Sequence, residues 1–213
     1  MTPEEARSPC VYIIGAQCTG KTTLVNALED SFHRNDLKQS TTKPLIIREV
    51  ARTVLKEKQF SRDDITTSPS RALQLQKHIL EAQFDAENAA NAPEGPSSWY
   101  ICDRSGLDPV VYAQLFVGEE AAGELLATET WKGLERRMKA SIVILCEAGC
   151  SWLIDDGTRL MPEGMEQWMR IDTAFRSLLA VREIAYAVVP KDMIAIGERV
   201  ELVKEQLRKH SLL

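Results

Sequence analysis

The sequence predicts an α/β fold: a five-stranded parallel sheet, strands in the order 2-3-1-4-5, with helices on both faces in three layers. Three observations carry this. Five short apolar runs, each bounded by turn or polar residues, alternate with segments of helical period. The runs are continuously apolar, as in Ile142-Val-Ile-Leu145, the pattern of strands covered on both faces. Strand–helix alternation in turn requires right-handed crossovers between parallel neighbours.

The strands are expected at residues 11–15, 44–49, 99–103, 141–147 and 185–190. Residues 21–33 form the first helix, with Leu24, Val25, Leu28 and Phe32 on one side. A helix over 50–60 follows the second strand directly. Ser68 and Pro69 supply an N-cap and a first helical position for a helix over 70–90, whose Ala72, Leu75, Ile79, Ala82 and Ala86 face a core. Asp108-Pro109 opens a helix to Phe116 in the same way. Residues 119–139 read as one helix with a break at Gly123 or Gly133, and helices over 165–184 and 193–209 complete the set. The turn-forming stretch at 91–98 is too short for a domain linker, so residues 1–213 are expected to be one domain.

Composition bounds the function classes. The 213 residues are 44% hydrophobic and 27% charged, enough to build a core without disulfides. A net charge of -5 argues against nucleic-acid binding through bulk charge. No apolar run approaches the roughly 18 residues of a membrane helix, and the acidic Met1-Thr-Pro-Glu-Glu opening is unlike a signal peptide. The five scattered cysteines lack zinc-ligand spacing and are read as reduced thiols of a cytoplasmic protein. His33, His78 and His210 form no metal set.

The chemistry begins at Gly15-Ala16-Gln17-Cys18-Thr19-Gly20-Lys21-Thr22, which matches the Walker A pattern G-x-x-x-x-G-K-[ST] at every fixed position. An apolar strand runs in and an amphipathic helix runs out, the order required for loop amides and a helix N-terminus to face a polyphosphate. Gly15 to Thr23 are therefore the expected nucleotide-binding residues of a P-loop. Lys21 is expected on the β- and γ-phosphates, and the Thr22 hydroxyl on Mg²⁺.

Ligands in open α/β sheets sit at the carboxyl ends of strands, so the other strand tips bear on the reaction. The third strand delivers Asp103-Arg104-Ser105. Asp103 there is a metal candidate, and the competing reading is a salt-bridged surface pair with Arg104. The second strand ends Arg48-Glu49, followed by Arg52. Glu49 at that tip would orient a substrate hydroxyl, against an alternative in which it merely complements a helix dipole. Past the fourth strand, Asp155-Asp-Gly-Thr-Arg159 within about 148–165 suits a lid, with Arg159 and then Arg170 as charge-neutralising arginines. An ordinary turn at Asp156-Gly157 is the competing reading. Gln76 and Gln83 read as exposed glutamines, with a base-reading role as the rival. Arg136-Arg137-Met-Lys139 reads as a solvated helix end.

The ordered set of Gly15–Thr22, Arg48-Glu-Val-Ala-Arg52, Cys102-Asp-Arg-Ser-Gly106 with Asp108 and Tyr112, and Asp155-Asp-Gly-Thr-Arg159 resembles a known family. It is the P-loop domain shared by the ribosylnicotinamide-kinase part of bacterial NadR proteins and the TRPL-translocation-defect proteins, grouped as an "AAA domain" family. Deoxynucleoside and thymidylate kinases are more distantly similar. The resemblance, over about residues 10–190, implies Mg-ATP-dependent phosphoryl transfer to a small nucleoside-like metabolite such as nicotinamide riboside. It places Asp103 and Glu49 at the acceptor and Arg159 on the lid; Arg52, Arg104 and Asp108 are read beside them as acceptor-pocket candidates. The family also includes nucleotide-dependent binding proteins, which is the alternative function. Asp103-Arg-Ser-Gly106 fits the D-x-x-G of a GTPase, but Cys146-Glu-Ala-Gly stands where a guanine reader would be. The expected cofactors are ATP and Mg²⁺; the expected partners are nucleotide and a small-molecule acceptor, without nucleic acid or a membrane span. An apolar face over 119–139 suits a homodimer.

Overall fold

The structure is a computed structural model that describes residues 10–34, 43–61, 63–92, 99–151 and 164–210. Its strands are β1 (Val11–Ile14), β2 (Leu45–Ile47), β3 (Tyr100–Asp103), β4 (Ile142–Cys146) and β5 (Ala187–Val189). They pair in the order β2-β3-β1-β4-β5, every neighbour parallel. All residues of β1, β3 and β4 are buried, which is why these runs carry no alternation. The fold is thus the three-layer α/β arrangement that the apolar runs predict.

The helices are α1 (Lys21–Arg34), α2 (Val50–Glu57), α3 (Asp64–Thr67), α4 (Pro69–Ala90), α5 (Leu107–Phe116), α6 (Glu119–Leu126), α7 (Glu129–Lys139), α8 (Met165–Val181) and α9 (Ile196–Lys209). α1 packs with α9 over β1, β3, β4 and β5, while α4 packs with α5 and α7. The short α3 has no counterpart in the sequence reading. The segment 119–139 does break, but at Ala127–Thr128 rather than at either glycine. Thr128 caps α7, its hydroxyl accepting from the Trp131 amide at 3.1 Å. Gly133 serves packing instead: a Cβ there would lie 2.7 Å from the Phe84 ring. The end helices are shorter than expected, α8 stopping at Val181 and α9 starting at Ile196.

One large hydrophobic core surrounds the sheet. A separate cluster of Val54, Ile65, Leu75 and Ile79 joins α2, α3 and α4 beside it. The five cysteines are all buried and none forms a disulfide. No described helix is long and apolar enough to cross a membrane. Register decides what meets at the carboxyl ends. Ile13 pairs with Asp103, and Ile47 with Cys102, so the cradle, the Asp103-Arg104 tip and the Glu49 tip converge.

Candidate active site

Backbone conformation builds the cradle. Gly15 has φ +128°, and a Cβ there would approach the Cys146 carbonyl oxygen to 2.5 Å, so the loop can leave the sheet this tightly only with glycine. Cys18 and Gly20 also take positive φ, at 60° and 84°, curling the amides into a concave anion nest. The Thr19 hydroxyl donates to the Ala16 carbonyl at 3.0 Å. Lys21 is buried, its Nζ donating to the carbonyls of Gly15 and Ala16 at 2.8 and 2.6 Å. Burial first, and the Arg104 charge second, lower its pKa from 10.5 to about 8. Two residues that no local pattern signals hold the loop from outside. The Trp168 indole donates to the Gln17 carbonyl at 2.8 Å, and Arg199 Nη1 donates to the Thr19 carbonyl at 2.9 Å.

At the mouth of the cradle the Thr22 hydroxyl donates to Asp103 Oδ2 at 2.6 Å. Asp103 Oδ1 is buried without a hydrogen-bond partner among the described residues. A hydroxyl and a carboxylate with an unused oxygen are the hard donors Mg²⁺ takes, one or two protein oxygens being enough when phosphates and waters complete the shell. Among the described residues no cluster of three or more His, Cys, Asp or Glu is arranged for a metal, so a cation here would depend on that completion.

Arg104 is the hub next to this pair. It sits at φ 86°, a costly conformation for a branched-out side chain, and its amide bonds the Ile13 carbonyl at 3.0 Å. From there its guanidinium lies 2.9 Å from Glu49 Oε1 and 3.3 Å from Asp108 Oδ1. Glu49 precedes α2 but makes no side-chain cap; its second oxygen accepts from Arg52 Nε at 2.9 Å. Burial opposes the Glu49 charge, yet Arg104 and Arg52 overcome it and hold the carboxyl at about 2. Asp108, inside the first turn of α5, accepts from the Ser105 amide and hydroxyl at 2.9 and 3.1 Å, fixing the Arg104-Ser105 turn.

Beyond this cluster opens a cleft between the strand tips and α2, α3, α4 and α5. Its polar rim includes Gln17, Glu49, Arg52, Arg104 and Asp108; its apolar wall includes Leu55, Ile65, Leu75 and Ile79, from α2, α3 and α4. Gln17 belongs to cradle and cleft alike, its Oε1 accepting from the Tyr112 hydroxyl at 2.8 Å. A second depression on the cradle's other flank is lined by Gly20, Thr23, Ile194, Ile196 and Arg199.

The strand tips thus bring together Lys21, Thr22, Asp103, Arg104, Asp108, Glu49 and Arg52. Arg48 departs from the group, pairing with Asn26 and Glu29 of α1. Arg170 is exposed on α8. Arg159 and Trp152 lie outside the described residues. The expectation that Gln76 and Gln83 are exposed is overturned: both are buried and line the cleft. Their helix packs against α2, α3, α5 and α7, so positions flanking its apolar stripe are covered too.

The model of the "AAA domain" family matches residues 10–195. Among solved structures, NadR protein in complex with NR aligns with TM-score 0.69 and 21% identity, over 93% of this chain and 51% of that one. This chain therefore spans about half the length of the NadR structure it matches. Deoxyadenosine kinase from M. mycoides with bound dATP aligns at TM-score 0.59 and 16% identity, over 93% of this chain and 98% of that one. Thymidylate kinase from Candida albicans aligns at 0.59 and 12%, over 97% and 93%. No curated protein matches. Likenesses at these identities establish the fold.

Proposed function

We propose that this chain, which belongs to the AAA domain family, is a small-molecule kinase that moves the γ-phosphoryl group of Mg-ATP to a hydroxyl of a nucleoside-like metabolite, such as nicotinamide riboside or a related nucleoside or nucleotide. The observation that carries this is the cleft's shared border with the cradle. Gln17 lines both, and the Glu49–Arg104 pair stands where they meet. A phosphate-responsive switch has no need of a second, largely apolar cleft opening at the phosphate end of its loop. The resemblance in fold to NadR bound to NR or to NAD and AMP-PNP, to deoxyadenosine kinase and to thymidylate kinase supports the same reading.

Phosphoryl transfer passes through a loose transition state, so positioning and charge neutralisation do most of the work. Lys21 and the cradle amides hold the β- and γ-phosphates. Contact with phosphate stabilises the Lys21 charge that burial disfavours. Thr22 and Asp103 would hold Mg²⁺, whose charge would offset that of the phosphates. Glu49, at about 2, is too weak a base to take a proton early; it accepts a hydrogen bond from the acceptor hydroxyl and aims it. Arg52, Arg104 and Asp108 fix that carboxylate and the turn beneath it. Arg159 and Arg170 are assigned to closure over the phosphates on the strength of the sequence.

ADP release from Mg-ATP across a panel of nucleosides and nucleotides, nicotinamide riboside included, tests the proposal. Stimulation by one acceptor, abolished in a folded Lys21→Ala variant, is the expected result. Full turnover in Lys21→Ala overturns the mechanism. A flat panel with nucleotide still tightly bound replaces transfer by nucleotide-gated binding.

A further inference from the structure

Two side chains that the transfer chemistry does not use reach the phosphate loop from behind. Trp168, in the first turn of α8, is 1% exposed, and Arg199, in the first turn of α9, is 3% exposed. Each gives a side-chain N–H to one carbonyl of the loop, Trp168 Nε1 to Gln17 at 2.8 Å and Arg199 Nη1 to Thr19 at 2.9 Å. Both donors are themselves held. Arg199 Nε donates to the Met193 carbonyl in the loop after β5 at 2.6 Å. On α8, Asp172 accepts from the Ala148 amide in the loop after β4 at 3.0 Å.

A trans peptide is planar and sends its carbonyl and its N–H in opposite directions, and the described residues contain no cis peptide. The Gln17 carbonyl shares its peptide with the Cys18 N–H, and the Thr19 carbonyl shares its own with the Gly20 N–H. Holding the two carbonyls outward therefore turns these N–H groups to the opposite side, the concave face that positive φ at Cys18 and Gly20 creates. A donor on a carbonyl also polarises its peptide and strengthens the N–H at the other end. Arg199 adds a permanent positive charge behind the Thr19–Gly20 peptide.

We propose that Trp168 and Arg199 are positioning residues for phosphate binding: by fixing the Gln17–Cys18 and Thr19–Gly20 peptides, they aim and strengthen the Cys18 and Gly20 amides toward the polyphosphate. The nest is then preorganised before a nucleotide arrives, which lowers the ordering cost of binding. This rests on the part of the reading above that a kinase and a nucleotide-gated binding protein share, a polyphosphate in the cradle, and does not need transfer.

Mg-pyrophosphate is the probe, because it engages the loop without base or acceptor. Calorimetry on the full chain, well below each melting temperature, reads its affinity and that of Mg-AMP-PNP; thermal unfolding reads stability separately. Trp168→Phe keeps a ring and removes the N–H, Arg199→Met removes donors and charge, and Arg199→Lys keeps the charge. Affinity for both ligands is expected to fall about fivefold in Trp168→Phe and about tenfold or more in Arg199→Met, with Arg199→Lys within about threefold of wild type. A brace that served only the fold would lower Tm and leave the affinity of the folded protein unchanged, and that result overturns the proposal. Wild-type protein labelled with ¹⁵N tests it without any variant: the Cys18 and Gly20 amide protons should move downfield as Mg-pyrophosphate binds, and resonances that stay in place overturn it. Wild type that binds neither ligand removes the cradle as a phosphate site, and this proposal with it. A flat acceptor panel alongside the expected affinity losses removes the kinase reading alone.

Discussion

Replacing Glu49 by Gln removes the charge between Arg52 and Arg104 while keeping the side chain's shape. Burial alone would push the carboxyl up; Arg104 and Arg52 bring it from 4.5 to about 2. That difference is about 3 kcal/mol of preference for the charged form in the folded protein. The variant also leaves Arg104 buried, with Asp108 at 3.3 Å as its remaining carboxylate within salt-bridge range among the described residues, and removing one side of a buried pair costs about 3–5 kcal/mol. We therefore expect Glu49→Gln to lose about 3 kcal/mol at neutral pH, lowering Tm by roughly 6–12 °C in a chain of this size. The pH dependence has a definite sign. Because the folded carboxyl titrates below the unfolded one, its contribution is complete above about pH 4.5 and disappears as the pH falls toward about 2. Urea unfolding followed by circular dichroism, from neutral pH to about pH 3, should show wild type and variant converging on the acid side. A variant melting within about 2 °C of wild type at neutral pH, or a gap that does not narrow with acid, would refute the reasoning.

Gly15→Ala places a methyl 2.5 Å from a strand carbonyl at φ +128°; it should cost about 2 kcal/mol or more and abolish ATP binding, and unchanged calorimetry would contradict the close approach. Lys21 titrates near 8 in the free protein, lowered by burial and Arg104, whereas bound phosphate favours its charged form. ATP affinity should then be flat below about pH 8 and weaken above it by up to about tenfold per pH unit, with proton uptake on binding. Calorimetry in buffers of different ionisation enthalpy reads that uptake, and its absence near pH 9 would sink the assignment.

The cradle and the sheet were legible because their information is local. A fixed spacing of glycines, lysine and threonine names the loop, and unbroken apolar runs name buried parallel strands. The strand tips were legible as candidates, but their chemistry depends on register. Glu49 meets Arg104 only because β2 pairs with β3. Trp168 and Arg199 brace the cradle from more than 140 residues away in the chain, and nothing in their neighbourhoods signals it. The burial of Gln76 and Gln83 was misread because an amide beside a helix's apolar stripe looks like a solvated flank until the packing partners are known. Glycines misled at 119–139 for a related reason: Gly133 makes room for Phe84, and a threonine cap sets the break.

The cluster of Val54, Ile65, Leu75 and Ile79 is separate from the main core, and Ile65, Leu75 and Ile79 also wall the cleft. Because it is much smaller than the main core, α2 and α3 are expected to open at a fraction of the global unfolding free energy. Admission to the cleft then resembles a partial melting more than the swing of a rigid door. The same separation lets substitutions in this small cluster reshape the chamber while the sheet and phosphate loop stay as they are.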